Sequence, residues 1–357
     1  MRIGIVGGGQ LGMMLTEAAI KLGHVVYAID PNPNASVKHV GGNLLNYRFD
    51  DIEGIKKLDA MSDVICYEFE NIDLSVLRPF QHKIPQGLIA LEYSNDRMKE
   101  KEFARSLGIP TPRYQYVQSE KEVDDFFYPS LLKTTRFGYD GKGQVLLKSS
   151  EDLHKVNIQQ PMILEELVNF DQEVSVIVTR DMFKHIAFYP LIKNAHVNGI
   201  LDHSIPWWDA PQSLKDKAYA YASKVVETLN YIGTLAIEFF LCGEELWFNE
   251  MAPRPHNSGH FSIEGTTISQ FENMILAITG EHVKTPLITK PSVMLNVLGQ
   301  HEGYVQHMGQ KRYVYHHDYY KGEYRVNRKM GHITYLGENE EDLMKWITFM
   351  KGETYAD

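Results

Sequence analysis

The sequence predicts a mixed α/β protein of two or three domains. Three observations predict it. The first thirty residues read as strand, glycine loop, helix, strand and then an acid. Farther on, apolar strands are joined directly to one another by turns, over residues 131–147 and again over 234–250. Between these lie helical stretches stopped by glycine or proline. A chain of 357 residues suits that domain count.

Composition narrows the function. Apolar residues make up 43% and charged residues 23%, so the chain can bury a core without a disulfide or metal staple. The net charge is −10 and no long basic run occurs, which argues against a nucleic-acid partner, because such binding depends on neutralising phosphates. Two cysteines, Cys66 and Cys242, exclude a disulfide scaffold and fit a reducing compartment. No apolar stretch reaches the roughly 18 residues of a membrane span. Residues 1–6 read as a strand rather than a signal peptide. A cytoplasmic protein with no membrane contact is expected.

Residues 3–6 form the first strand, ending in Gly7-Gly8-Gly9-Gln10-Leu11-Gly12. A helix is expected over 13–22 with Gly23 as its stop, then a strand over 25–29 with Asp30 at its end. Glycines suit a loop whose backbone approaches a phosphate at a helix N-terminus. The spacing Gly7-x-Gly9-x-x-Gly12 admits three readings: a dinucleotide site with Asp30 on a ribose, a site for another phosphate-bearing ligand, or a tight turn with no ligand. A strand over 63–67 runs into Glu68, Glu70 and Asp73, which either reach a ligand or line a solvated loop. Ser94 or Asn95 is expected to cap a helix over 96–107, stopped by Gly108 and followed by Pro110 and Pro112.

A strand over 131–133 leads into Thr134-Thr135-Arg136-Phe137-Gly138-Tyr139-Asp140-Gly141-Lys142-Gly143-Gln144, and a second strand follows over 145–147. A basic glycine loop between two strands is neither a Walker nor a Rossmann loop. It suits a flap that closes over a polyphosphate, with Lys133 and Lys142 as counter-charges; the plain alternative is a glycine hairpin. Residues 162–164 form a strand ending at Glu165 and Glu166. These acids mark either a solvated strand end or a hinge whose backbone pairs with an adenine edge. Another strand covers 173–178, and a helix is expected from 213 to about 231.

Strands over 234–241 and 246–250 flank the turn Cys242-Gly243-Glu244-Glu245. A hairpin centred on Glu244 puts Glu238 opposite Glu250. Facing carboxylates repel. A hard cation between them, with Asn249 nearby, removes the repulsion, and Mg²⁺ favours few carboxylates plus substrate phosphates. The alternative is that each acid pairs with its own Arg or Lys. The next residues, Ala252-Pro253-Arg254-Pro255-His256-Asn257-Ser258-Gly259-His260, form a turn stiffened by prolines. Arg254, His256, Asn257 and Ser258 there suit an anion or carbonyl site.

Lys133, the flap, Glu238, Asn249 and Glu250, and the Arg254 turn together resemble an ATP-grasp ligase. With the N-terminal glycine loop they resemble, more narrowly, the 5-(carboxyamino)imidazole ribonucleotide synthase (PurK) family, over residues 1 to about 335. That resemblance implies a preATP-grasp, Rossmann-like domain over 1–94, an ATP-grasp domain over 95–285 with a lid at about 113–168, and a small β-rich C-terminal domain over 286–357. It implies ATP and Mg²⁺ as cofactors, aminoimidazole ribonucleotide and bicarbonate as substrates, a carboxyphosphate intermediate, a role in purine biosynthesis and a homodimer. By motif, Arg97, Lys133 and Gly138, Tyr139, Asp140, Gly141, Lys142, Gly143 and Gln144 would hold ATP phosphates. Glu165, Glu166, Leu167 and Val168 would form the adenine hinge, Glu173 would bind the ribose, and His196 would lie near the nucleotide. Glu238 and Glu250 would carry Mg²⁺ beside Asn249. Arg254, His256, Asn257 and Ser258 would face bicarbonate. Gln10, Leu11, Glu68, Tyr139, Asp140, Lys321, Arg328 and Lys329 would meet the imidazole ribonucleotide.

The C-terminal segment adds a separate sign. Residues 311–331 hold six Lys and Arg against Asp318 and Glu323, a local excess of positive charge that suits a phosphate. Two features depart from the family pattern: Phe137 where a glycine is usual, and the bulky pair Trp207-Trp208, which suits either a core or a subunit contact. The competing functions are another ATP-grasp carboxylate–amine ligase, a nicotinamide-dependent oxidoreductase built on the glycine loop, and a nucleotide sensor without turnover.

Overall fold

The computed structural model describes residues 1–119, 122–123, 128–136, 143–153, 156, 158, 160–301, 303–305 and 312–352. The N-terminal segment builds a parallel sheet. β1 (Arg2–Val6) is followed by α1 (Gln10–Lys21), β2 (Val25–Ile29), β3 (Asn43–Leu45), α2 (Ile52–Met61) and β4 (Val64–Tyr67), with strand order β3-β2-β1-β4. β1 and β4 are buried almost throughout, which is why they read as unbroken apolar runs rather than alternating ones. α1 starts at Gln10, three residues before the expected start, because Gly9 is its N-cap. Gly12 therefore lies in the first helical turn. A Cβ there would meet the Gly7 carbonyl oxygen at 2.3 Å, so only glycine lets the helix pack against its own loop.

Short helices α3 (Leu74–Leu77) and α4 (Ile89–Ser94) lead to α5 (Arg97–Ser106). Asp96 caps α5, rather than Ser94 or Asn95: its carboxylate accepts the N–H groups of Met98 and Lys99. Ser94 and Asn95 instead end α4. An antiparallel sheet follows, built from β5 (Tyr114–Val117), β6 (Ser130–Thr134), β7 (Gln144–Leu147) and, after α6 (Ser150–Leu153), β8 (Met162–Glu166), in the order β5-β8-β6-β7. β8 includes both Glu165, which is buried within it, and Glu166, which ends it half-buried. β6 pairs with β7 with Lys133 opposite Gln144, and the flap joins them. Phe137, Gly138, Tyr139, Asp140, Gly141 and Lys142 lie outside the described residues.

The largest sheet holds the centre of the molecule. Its strands are β9 (Gln172–Arg180), β10 (Ile186–Phe188), β11 (Ile192–Val197), β12 (Ile200–Pro206), β13 (Gly233–Cys242), β14 (Glu245–Ala252), β15 (Ser292–Leu298), β16 (Val314–Asp318) and β17 (Lys329–Leu336). The order is β14-β13-β9-β11-β12-β15-β17-β16, antiparallel throughout, with β10 beside β9. β12 pairs with β15, so the C-terminal strands extend the central sheet instead of making one of their own. α7 (Gln212–Thr228) covers β9 and β13 through Leu214, Ala218, Ala222 and Val225. It ends three residues earlier than expected, where Asn230 turns left-handed at φ +44°.

After the single turn α8 (Ser262–Gly265), α9 (Gln270–Ile278) opens with a capping box between Ser269 and Glu272. Phe271, Met274, Ile275 and Ile278 of α9 share one core with Met14 and Ala18 of α1, which joins the N-terminal sheet to the central one. The final helix, Glu340–Lys351, sets Leu343, Trp346 and Ile347 on the C-terminal strands. Trp207 and Trp208 are half-buried within the chain. Trp207 packs on the central core under the Lys193 ammonium, 4.9 Å from its ring, and Trp208 packs on the C-terminal core.

Gly12→Ala should cost about 1–3 kcal/mol, because the overlap is with backbone that cannot rotate away. Urea unfolding at equilibrium checks this; an unchanged midpoint would show that α1 can shift freely.

Candidate active site

The site begins with an irregularity. The β13–β14 turn is formed by Gly243, at φ +62°, and Glu244, so Cys242 faces Glu245 and Phe239 faces Phe248. A bulge at Asn249 then shifts the register by one residue, and Glu238 faces Glu250. The expected pairing is present, but by another route. In the register of the turn, Asn249 would oppose Glu238 and Glu250 would point to the other side of the sheet.

Helix α5 takes up the backbone groups around the bulge. Lys101 Nζ donates to the carbonyl oxygens of Phe248 (3.3 Å) and Asn249 (2.8 Å), and the Glu100 carboxylate accepts the Met251 N–H at 2.7 Å. Both side chains are buried. Burial pushes the Glu238 carboxyl up to about 7; the Glu250 charge adds to this and His196 opposes it. Two facing carboxylates, one held at the edge of ionisation, suit a divalent oxygen-binding cation. Arg97 Nη1 lies 3.3 Å from Glu250, and its backbone N–H donates to the Thr135 carbonyl at 2.9 Å.

A line of buried charge leads from the bulge toward the flap. Lys101 Nζ lies 3.7 Å from Glu165, which Lys133 holds at 2.8 Å. Burial pushes the Glu165 carboxyl up, but the charges of Lys101 and Lys133 outweigh it and bring it down to about 2. Glu165 thus turns its side chain inward. The N–H groups of Glu166 and Leu167 donate to the carbonyls of Arg113 (2.9 Å) and Pro129 (3.2 Å), so those two donors are already used within the protein. Leu167 is exposed and Val168 half-buried. Gly143, at φ +76°, accepts the Thr134 N–H at 2.9 Å and closes the base of the flap beside Gln144. Glu173 meets His196 Nδ1 at 2.6 Å; burial lowers the imidazole, but this bond and the charges of Glu238, Glu173 and Glu250 raise it overall.

The turn after β14 is fixed from several sides. Arg254 Nε lies 2.8 Å from Glu70, and Nη1 donates to the Pro255 carbonyl at 3.1 Å. Gln86 Nε2 and the Tyr231 hydroxyl donate to the Pro253 carbonyl, at 3.1 and 2.6 Å. Gln270 accepts the His256 N–H at 2.9 Å and donates to its carbonyl at 2.7 Å. His256 Nε2 is 3.4 Å from Glu238, and burial drives its imidazole well below its ordinary range, so it stays neutral. Ser258 is fully buried: its hydroxyl sits 2.9 Å from His256 Nδ1 and 2.9 Å from the Ser175 hydroxyl, to which Asn194 donates in turn. Ser258 therefore positions His256 instead of facing open space. Asn257 is 7% exposed, and neither of its amide atoms has a partner among the described residues. An unpaired buried amide beside Arg254 suits a polar ligand.

The N-terminal loop closes the other side. Asp30 accepts the Gly8 N–H at 3.0 Å and Glu68 accepts the Gly9 N–H at 3.2 Å. Asp30 is spent on its own loop, which overturns its reading as a ribose ligand of a dinucleotide. No side chain caps α1, and its first-turn N–H groups suit an anion. Gln10 at that end bonds Lys321, whose ammonium lies 5.4 Å from the Tyr319 ring centre. The Leu11 side chain belongs to the core, so only its backbone can reach a ligand. Burial pushes the Glu68 carboxyl up to about 7 against the opposing charge of Arg254. Lys329 begins β17, and its charge acts on both Glu238 and His256. Arg328 donates to the Glu323 carbonyl at 3.3 Å, while Arg325 is spent on an exposed bridge to Glu323.

The residues missed in the sequence are the supports: Glu70 as the partner of Arg254, Glu100 and Lys101 under the bulge, and Gln86 and Gln270 behind the turn. Helix α5 reads as charged all round, so nothing in its pattern marks two of those charges as buried.

The fold and site define an ATP-grasp enzyme. Family models agree in three segments: a ribonucleotide synthetase preATP-grasp domain over residues 1–86, an ATP-grasp domain over 102–271, and a phosphoribosylaminoimidazole carboxylase C-terminal domain over 292–345. The N5-carboxyaminoimidazole ribonucleotide synthase of Staphylococcus haemolyticus is 38% identical over 96% of this chain and 94% of its own length, and that of Staphylococcus aureus is 37% identical over 96% and 95%. The synthetase structure from Thermus thermophilus superposes with a TM-score of 0.91 at 36% identity, covering 99% of each chain. The Aspergillus clavatus synthase, solved with ADP and 5-aminoimidazole ribonucleotide, reaches 0.90 at 26% identity, covering 98% of this chain and 97% of its own. The chain belongs to the N5-carboxyaminoimidazole ribonucleotide synthase family of ATP-grasp ligases.

The raised Glu238 carboxyl sets a pH dependence. Below about pH 7 it keeps its proton, and a bound cation must displace it. Mg²⁺ affinity in the presence of ADP should fall about tenfold per pH unit below 7, and binding should release a proton at pH 6 but little at pH 8. Without the cation, the stability associated with the protonated acid is complete below its ordinary value of 4.5 and is lost as pH rises through about 7. Calorimetry in buffers of different ionisation enthalpy reads the proton; equal release at both pH values would contradict the shift.

Proposed function

We propose that this chain uses ATP and bicarbonate to carboxylate the exocyclic amine of 5-aminoimidazole ribonucleotide, giving N5-carboxyaminoimidazole ribonucleotide, ADP and phosphate in purine biosynthesis. The observation that carries this reading is the Glu238–Glu250 pair next to the Arg254–Ser258 turn, between the nucleotide-side lysine and the N-terminal loop. Glu238 and Glu250 fit Mg²⁺: the ligands are carboxylates, Arg97 and the proton that burial keeps on Glu238 relieve their repulsion only in part, and the remaining positions suit phosphate oxygens and water. When bound, the ion supplies charge neutralisation for the triphosphate.

The chain's own residues do the rest. Lys133 and Arg97 bring positive charge to the phosphates, each held by one carboxylate in the meantime. Glu173 offers its carboxylate to the ribose hydroxyls. Arg254 and the unpaired Asn257 amide hold bicarbonate and then the carboxyphosphate anion, whose charge the guanidinium stabilises. His256, kept neutral by burial and oriented by Ser258, borders this anion as a neutral polar group and adds no charge of its own. The first-turn N–H groups of α1, with Lys321, hold the substrate's ribose phosphate. Glu68, raised to about 7, can pass a proton near neutrality next to that substrate. The flap, with Tyr139 and Asp140, would shield the intermediate from water. The reading extends to a cytoplasmic homodimer, supported by the family resemblance and by two free cysteines.

The test is phosphate release from Mg-ATP and bicarbonate with and without aminoimidazole ribonucleotide. Release should depend on the ribonucleotide and yield an acid-labile carbamate. Glu250→Gln should lower kcat about 100-fold or more while moving the unfolding midpoint little. Release indifferent to the ribonucleotide would sink the substrate, and near-normal turnover in the variant would sink the metal role.

A further inference from the structure

The far end of the central sheet carries a group of side chains that the reaction does not use. Asp181 follows β9, His185 precedes β10, and His282 follows α9. His185 Nδ1 and His282 Nδ1 lie 2.9 Å apart, and each lies 3.3 Å from the same Asp181 oxygen, Oδ2. Among the described residues this is the one group of three or more His, Cys, Asp or Glu side chains whose ligand atoms converge in this way. At about 3.3 Å of strand rise per residue, it lies roughly 20 Å along β9 from Ser175 and the Arg254 turn.

Asp181 is held rigidly. Its side chain is fully buried, Oδ1 accepts the N–H groups of Phe183 and His185 at 2.9 Å each, and Oδ2 accepts the Val283 N–H at 3.2 Å. Lys184, at φ +71°, gives the turn its left-handed step. The His282 ring packs against Phe183, with centroids 4.3 Å apart. Both imidazoles are about 60% exposed, so water reaches them from one side.

Protons alone do not satisfy this arrangement. Two Nδ1–H groups cannot point at each other across 2.9 Å, so at most one proton lies between the rings. It serves the contact between the rings and leaves the accepting nitrogen turned toward the Asp181 oxygen with no proton between them. A cation answers all three atoms together. Two imidazole nitrogens and one carboxylate oxygen suit a borderline divalent transition metal, whereas Mg²⁺ favours oxygen alone. Zinc bonds of about 2.0–2.1 Å in a tetrahedron set ligand atoms about 3.3 Å apart. The observed triangle of 2.9, 3.3 and 3.3 Å accepts an ion at those bond lengths roughly 1 Å out of its plane, with water in the fourth position.

We propose that Asp181, His185 and His282 form a binding site for a divalent transition-metal ion of the Zn²⁺ class, separate from the nucleotide site. Loaded, it fastens the β9–β10 turn to the chain leaving α9.

The experiment is a calorimetric titration of the full chain, freed of metal by chelation, with ZnCl2 in a background of about 5 mM MgCl2, which occupies the carboxylate site. One ion per chain should bind with Kd of about 10 µM or tighter. His185→Ala and His282→Ala, both at exposed rings, should each weaken it at least about tenfold, whereas Glu238→Gln should leave it unchanged. CoCl2 should give strong visible d–d bands that His282→Ala removes, and phosphate release should stay at its ordinary rate in both histidine variants. The proposal is overturned by no saturable binding below about 100 µM, by binding that either histidine variant retains, or by binding that Glu238→Gln abolishes. If an alanine variant fails to fold by circular dichroism, His282→Gln gives the same reading.

Discussion

Two like charges on adjacent strands repel, and a sheet that sets Glu238 against Glu250 has to offset that repulsion from outside the pair. Arg97, 3.3 Å from Glu250, and the proton that burial keeps on Glu238 near neutrality supply part of that offset. The Asn249 bulge brings Glu250 onto the Glu238 side, and Lys101 and Glu100 take up the carbonyl and N–H groups that a bulged ladder leaves over. Burying Lys101 requires a counter-charge, which Glu165 supplies, and Glu165 in turn holds Lys133. Each buried ion alone would cost several kcal/mol, so the charges are stable only as an alternating set. Lys133 is thereby fixed in place before any ligand arrives, which would lower the ordering cost of the nucleotide binding proposed above.

The site is assembled from segments far apart in the chain. Arg254 reaches Glu70 of the N-terminal segment, and Gln86 ties that segment to the Pro253 carbonyl. Lys321 comes from the C-terminal segment to Gln10 at the start of α1, and the Ser36 hydroxyl donates to the Tyr319 carbonyl at 2.6 Å. The apolar contact between α1 and α9 backs these polar links. Gln270 at the start of α9 holds both backbone groups of His256, so the helix that packs the N-terminal sheet also positions the turn. The N-terminal segment and the Arg254 turn are thus tied together through the start of α9.

Much of this was legible in the sequence. Strand runs such as residues 25–29 match β2 because buried parallel strands leave an unbroken apolar signature. The glycine loop, the flap and the Arg-Pro-His turn stand out because they break the ordinary pattern of a core. The Glu238–Glu250 pairing was reached from a hairpin centred on Glu244, yet the chain turns on Gly243 and Glu244 and adds a bulge; the two differences cancel. Bulges leave little trace in sequence, since any residue can occupy them. The supports were illegible for a related reason. Lys101, Glu100 and Gln270 are polar residues whose burial depends on partners about 150, 150 and 14 positions away, and periodicity carries no information about such pairs. Asp30 left the loop's reading open because an acid after the second strand has the right spacing for a ribose, and only the geometry shows it bonded to Gly8.

The proposed chemistry turns on Glu238 and Glu250 holding one ion together. A double-mutant cycle on Mg²⁺-dependent ADP binding tests it, with Glu238→Gln, Glu250→Gln and the double variant measured by calorimetry across a Mg²⁺ series. One shared ion predicts strong non-additivity: each single change should remove nearly all of the Mg²⁺ dependence, and the double should add little. Losses that simply sum, with Mg²⁺ dependence surviving in each single variant, would contradict it.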